Sequence, residues 1–554
     1  MASLNPRSGT LGRRLAAHLL RRATFGASRA EIEAFAALTA DQAVSQLMNF
    51  PPLPDHPADP QTGMTWVIAG RNAANSSNQD LKQIVNAWWL YHVMKPGQPL
   101  SISHKLTFFL HTSFVTSLDV IDFSENHYYT LRLLMLYAER SYKELALKIC
   151  LDNGMNDFLD IGDSEKMAPN ENFVREFLEL FTIGKGPGAG PGDYTTFTEQ
   201  DVVEGARLMT GFRRNDDWDD PAGWDPDTGL PRATPDPGRH DETDKLFSPR
   251  FQNQVITGRA DAIGMMQEIQ DFVDMIFAQE ATARQIVRRL YRFFVRYDIV
   301  QEVEDDIIGP LANTLMGNGY MIQPVLATLL QSQHFYDEDD SAANDEIIGA
   351  LIKSPLELQT QMIRYFGLPV PDPAADAFAS YVTFFQFGLM RLMSDACFDL
   401  FEPPEVAGYQ PIYQAPEYNR LWISAKSLPS RYAMVDAHLE GPPELAFDVM
   451  AFVNDPVNVP PFSGSDAYGV PGPHPGPRIA SHLVQELVAC LLPEAIEPDR
   501  FNYFLNEVLL DTLSPINWQM EWDMYLGSGD ATNVRAQISA LIRAILQSPE
   551  FQLG

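Results

Sequence analysis

A disulfide scaffold is out of reach for this sequence, which has 3 cysteines in 554 residues: Cys150, Cys397 and Cys490. They lie far apart, in stretches rich in Leu, Ile and Phe where small buried thiols sit, and no pair has zinc-ribbon spacing. Long apolar runs are missing too. None approaches the roughly 20 uninterrupted apolar residues of a bilayer span, and mean hydropathy is −0.17, so no membrane span is expected. Positive charge is in deficit: 40 Lys+Arg against 73 Asp+Glu give a formal charge of −33. Such a surface repels phosphate backbones and excludes general nucleic-acid binding. Lysine is the scarcer cation, 10 of the 40 basic residues, so most positive charge is guanidinium, better suited to ion pairs than to a solvating coat.

The motifs of the common enzyme classes are also missing. There is no phosphate-binding loop, dinucleotide fingerprint, Gly-x-Ser-x-Gly elbow or His-Glu-x-x-His pair. The glycine-rich stretch Gly184–Gly192 lacks a strand before it and a Lys-Ser or Lys-Thr after it, which makes it a loop. Arg21-Arg22-Ala23-Thr24-Phe25 has the outline of a twin-arginine export signal, but no apolar stretch follows. Gly26 leads instead into Ser-Arg-Ala-Glu-Ile-Glu, an amphipathic helix start. The arginines are therefore read as part of the fold, with a cytoplasmic location as the default.

What remains is helical. Period-3.6 patterns dominate and strand-like alternation is almost absent, which predicts an all-α protein. Helices are expected at, among others, 11–22, 80–94, 101–117, 125–150, 169–183, 198–210, 281–296, 345–366, 478–491, 498–511 and 532–548. Pro- and Gly-rich stretches at Pro51–Gly63, Gly184–Gly192, Asp216–Gly238 and Pro456–Pro477 cannot continue helices and form long loops. The expected architecture is a large multi-helix globular body of two packed helical lobes. Residues 1–345 form an amino-terminal lobe with the candidate site and 346–554 a carboxy-terminal lobe, the acidic stretch Asp337–Asp345 being the seam. A short echo, Leu330-Gln-Ser-Gln-His-Phe335 and Leu546-Gln-Ser-Pro-Glu-Phe551, closes one helix in each half.

The densest polar cluster is Pro169–Gly184, a helix with Pro at its start and Gly at its stop. Phe173, Phe177, Leu180 and Phe181 fall on one arc. Glu171, Arg175 and Glu179 form an i, i+4, i+8 stripe, with Asn172 and Glu176 beside it. Spacing alone favours a solvated ion-pair ladder worth about 0.3–0.5 kcal/mol per pair. The sharper alternative is a cleft in which Asn170, Glu171, Arg175 and Glu176 do acid–base work or hold a cation. His104 and His111 share a face of an apolar helix, roughly 10 Å apart along its axis, too far to chelate one metal. His240-Asp241 ends the long loop 216–238 and is placed to deliver an imidazole and a carboxylate to a helical cleft.

Six segments carry a resemblance: His18-Leu-Leu-Arg-Arg-Ala-Thr-Phe-Gly26, Pro169–Gly184, Asp201-Val-Val-Glu-Gly-Ala-Arg207 with Thr210-Gly-Phe212, His240-Asp241, Lys353-Ser-Pro355 and Pro403-Pro-Glu-Val-Ala-Gly408. In this order the chain resembles, nearly end to end, the bacterial family catalogued as domain of unknown function 1800. The resemblance implies a large helical body but no particular reaction. Its signature carries polar residues at positions matching His111, Asn170, Glu171, Arg175, Glu176, Glu179, His240 and Asp241. Many relatives look exported, and their genes commonly accompany a sulfatase- or phosphatase-like family, which implies such a protein as a partner.

Two functional expectations result. One is a hydrolase whose carboxylate-rich cleft uses Glu171, Arg175, Glu176 and Glu179, with a divalent metal on His111, His240 and Asp241 as an option. The other is a non-catalytic scaffold or partner of a sulfatase- or phosphatase-like protein.

Overall fold

The computed structural model describes residues 2–218, 223–339 and 346–554. The fold is all-α: 55% of it is helix and 5% strand. The strands form two short antiparallel ribbons, Phe212–Arg213 with Thr234–Pro235 and Lys245–Leu246 with Val255–Ile256. No described helix is long and apolar enough to cross a membrane. The expected boundary at 345, with part of its acidic seam, lies outside the described residues, as do four residues of the 216–238 loop.

Local chemistry explains most helix limits. The stretch expected as one helix over 125–150 is two, Ser124–Tyr137 and Tyr142–Ile149. Ser141 caps the second, and its hydroxyl also donates to the Gly319 carbonyl at 2.7 Å, fastening the break to a distant turn. The helix expected to begin near 345 begins at Pro355 and runs to Phe366. Ser354 and Glu357 form a reciprocal capping box at its start, and Pro is tolerated at the first helical position because its missing N–H would have no partner there.

Helix Pro515–Ser528 has no counterpart among the expected elements. Trp518 and Trp522 are buried, while Ile516, Met520 and Met524 lie exposed on the other side. Apolar residues on both faces erase the period by which a half-buried helix is recognised.

The sequence echo is structural. Helices Ile322–Gln331 and Thr532–Leu546 each end in a short 3-10 turn, His334–Tyr336 and Glu550–Gln552. In each, a serine hydroxyl accepts from the phenylalanine N–H three residues on: Ser332 from Phe335 at 3.2 Å and Ser548 from Phe551 at 3.3 Å.

Residues far apart in the chain meet around helix Gly12–Ala23, which packs on helices Arg29–Ala36 and Ala480–Leu491. Gly26 turns the chain out of the first helix at φ +108°. A Cβ there would stand 2.7 Å from the Gln361 Cα, so only glycine permits this approach to helix Pro355–Phe366.

Candidate functional site: a basic cavity

The signature helix is an α-turn, Asn172–Glu176, that opens into a wide π-type turn, Phe177–Phe181. Asn170 serves its start, accepting from the Asn172 N–H at 3.0 Å. Arg175 is held between two carboxylates: Nη2 lies 2.9 Å from Glu171 and 2.8 Å from Glu199, and Nη1 donates to Glu199 at 2.9 Å. Hydrogen bonds from Arg175, then from Tyr194, pull Glu199 down to about 2. Arg175, Glu171 and Glu199 each keep about a third or more of their side-chain surface in solvent. Burial, reinforced by Glu179, raises the pKa of Glu176. Glu179 pairs with Lys185 at 3.1 Å.

His240 sits in a different environment. Its Nδ1 faces the Thr210 carbonyl oxygen at 2.8 Å and its Nε2 faces Glu268 at 3.2 Å. Glu268 also takes Lys245 at 2.6 Å and the Arg259 N–H at 2.6 Å, so a fully buried carboxylate has two donors of its own beside the His240 ring. Asp241 is half-buried beside Arg207 at 2.9 Å. Although burial opposes it, Arg207 and Thr243 hold its pKa down at about 2. His111 is buried against the Phe401 ring, 4.8 Å between centroids, and burial pushes it down to about 3.

The polar face of the signature helix meets Glu199 at the start of helix Glu199–Leu208, and Asp241 pairs with Arg207 near the end of the same helix. Among the described residues no hydrogen bond or ion pair joins His111, His240 or Asp241 to Glu171, Arg175, Glu176 or Glu179. Among the described residues no group of three His, Cys, Asp or Glu side chains is arranged to hold a metal ion.

Four of the six segments singled out in the sequence do converge, on a cavity of about 270 Å³. Its wall includes Arg21–Gly26 (without Ala23), Glu179 and Leu180 of the signature helix, Lys353 and Ser354, and Ala407. Helix Glu280–Phe294 adds Arg289 and Arg292, and the segment 411–422 adds Tyr413, Tyr418 and Trp422.

Five cations line this space, and none has a carboxylate partner among the described residues. Arg21 and Arg22 are buried at the carboxyl end of their helix, where the dipole favours positive charge. Each donates to one carbonyl, Arg21 to Cys490 at 3.2 Å and Arg22 to Ile347 at 2.8 Å. Nε and Nη2 of Arg21 and Nε of Arg22 have no protein partner. Lys353 is buried, donates to the Phe551 carbonyl at 2.6 Å and lies 3.9 Å from that ring's centre. The half-buried Arg289 donates to the carbonyls of Leu180 and Thr112, and Arg292 stacks 4.9 Å above Tyr418. Burial lowers the pKa of all five, the first sign of charge held at a cost.

The two acidic side chains on the wall are engaged elsewhere. Glu357 takes Lys105 on one oxygen and the Ser354 N–H and hydroxyl on the other, at 2.7 and 2.8 Å; Glu179 has Lys185. Asn419, also on the wall and buried, has neither amide atom bonded to protein.

Of the residues expected to carry chemistry, Glu179 alone lies on this wall. On the sequence the others that line it belong to the fold: the twin arginines to a helix, Lys353-Ser354 to a helix start. One signal for them is the Arg21-Arg22 pair, which closes a helix that carries a second such pair at Arg13-Arg14.

These features define a large helical protein enclosing a basic cavity. The chain belongs to the family described as protein of unknown function (DUF1800), whose model matches residues 18–553. No curated protein and no solved structure matches it.

Proposed function

We propose that the protein binds a small organic anion in the basic cavity and, on a narrower reading, hydrolyses it there. One observation carries the binding half: Arg21 and Arg22, both on the wall, bond to main-chain carbonyls alone and meet no carboxylate among the described residues. Buried guanidinium charge without a counter-ion is costly, and a fork of N–H groups fits a carboxylate or an oxyanion. With about 270 Å³ open to water-sized molecules, the cavity has room for a compact organic ligand. The hydrolytic half rests on Glu179, a carboxylate on the same wall able to act as general base, with the guanidinium groups to stabilise developing negative charge. It assigns no residue to a metal.

Calorimetric titration of the full chain with small aromatic carboxylates tests this. Saturable binding that Arg22→Met removes and Arg175→Met leaves intact supports the cavity. Binding indifferent to Arg22 and lost in Arg175→Met moves the site back to the signature helix. For hydrolysis, Glu179→Gln is expected to keep ligand binding and lose turnover of chromogenic anionic esters.

One observation favours a second reading, a non-catalytic partner of a sulfatase- or phosphatase-like protein. Leu513, Ile516, Met520 and Met524 form an exposed apolar stripe, 51, 39, 53 and 62% accessible, of the kind that marks association surfaces. A complex with such a protein that Met520→Glu abolishes and Arg22→Met leaves untouched would support it.

A further inference from the structure

We infer that the cavity's ligand carries at least two negative charges on an aromatic body; this rests on the anion-binding reading above. The first half is a charge count. Arg21, Arg22, Arg289 and Arg292 line the space with Lys353, whose charge burial disfavours, and the two acidic side chains there, Glu179 and Glu357, already neutralise Lys185 and Lys105; the Gly554 end group on the same wall offsets at most one of the arginine charges. In a chain with 73 acidic residues against 40 basic ones, carboxylates are not in short supply. Buried Arg29 has Glu486 at 2.5 Å and buried Lys245 has Glu268 at 2.6 Å. The cavity cations instead bond only to carbonyl oxygens or rest on rings, which orients them without cancelling their charge. A single negative charge would leave most of this field uncompensated.

The cations also come from two sources. Arg21 and Arg22 adjoin at one helix end, and Arg289 and Arg292 stand three residues apart on another helix, the spacing of one face. The second half is the lining between them: Phe25, Phe108, Phe293, Tyr297, Tyr418 and Trp422 all contribute. Rings in that number select a flat apolar body by stacking, a geometry a bare inorganic ion does not exploit.

Matched probes test the inference by titration of the full-length protein. Phenylphosphonate and benzenesulfonate share a body and have no ester to cleave; at about pH 8.5 the first is a dianion and the second a monoanion. Naphthalene-2,6-dicarboxylate and 2-naphthoate make the same comparison with the charges apart. Inorganic phosphate is the probe without a body. In at least one pair the dianion is expected to bind at least about tenfold tighter, and which pair shows it tells whether the charges sit on one group or two. Arg22→Met and, independently, Arg292→Met should shrink that preference, each variant's fold being checked by its thermal transition. Equal affinity of dianion and monoanion in both pairs overturns the charge count while the cavity reading stands. Inorganic phosphate binding as tightly as phenylphosphonate overturns the aromatic half. Failure of every anion to bind overturns both this inference and the reading beneath it.

Discussion

The environment of Glu268 and the basic cavity treat buried charge in opposite ways. Around Glu268 the chain closes its own circuit: Lys245, His240 and a backbone N–H converge on one carboxylate. Around the cavity it gathers four arginines and Lys353 and supplies carbonyls and aromatic faces, but among the described residues no free acidic side chain. The first arrangement is complete without a ligand and is the mark of structure. The second, on the function proposed above, is completed by an anion. Buried polarity is therefore not by itself a sign of function; what separates the two places is whether the chain provides the opposite charge.

This contrast breaks first where removal should hurt most. Lys245→Met leaves Glu268 buried with a partner missing and should cost about 3–5 kcal/mol in denaturant unfolding; a loss below about 1 kcal/mol would show that Glu268 is not desolvated as described. Arg22→Met should act in the opposite direction on the ligand-free protein. Taking out an uncompensated buried cation at similar volume is expected to raise stability by about 1 kcal/mol or more, even as anion binding is lost. A fall of comparable size would mean that the Ile347 carbonyl alone justifies the charge. Arg175→Ala, at a partly exposed ladder, should cost under about 1 kcal/mol and less still in high salt, with anion affinity unchanged.

A pH-dependent effect sharpens the comparison further. Glu402 is half-buried, and burial and the facing Asp119 raise it to about 8. Its folded-state pKa lies above the unfolded value, so its stabilising contribution is present below the ordinary carboxyl range and is lost as pH rises through about 8. Glu402→Gln, neutral throughout, should therefore match the parent near pH 4 and melt at a higher temperature above about pH 8. A difference in melting temperature that does not change with pH would remove Asp119 and Glu402 as a proton-sharing pair.

Much of the fold could be read from the chain because helices repeat. The apolar period located the helices now seen at Asn78–Met94, Glu280–Phe294 and Thr532–Leu546 within a few residues. It failed at Pro515–Ser528, where tryptophans point inward and methionines outward, and at Ser141, whose tether is 178 residues away. The cavity was harder for the same reason. Arg21, Glu179, Arg289, Lys353 and Trp422 share no period, and only the folded chain makes them neighbours. The Pro169–Gly184 segment was conspicuous because its charges are dense, yet density drew attention to a ladder that satisfies itself. The arginines that do not satisfy themselves looked like ordinary helix.

The wide turn at Phe177–Phe181 has a consequence for how this wall tolerates change in chain length. A π-type turn takes up one extra residue while leaving the helix faces on either side in step with their neighbours, and here the Leu180 carbonyl meets Arg289 and Glu179 reaches the wall. Deleting one residue of this turn would let the backbone relax to ordinary winding while the helix faces on either side stay in step. The shortened protein should keep its fold, less stable by the side chain lost, and be a poor receptor for the proposed ligand, because a single residue of slack in one helix shapes part of the cavity wall.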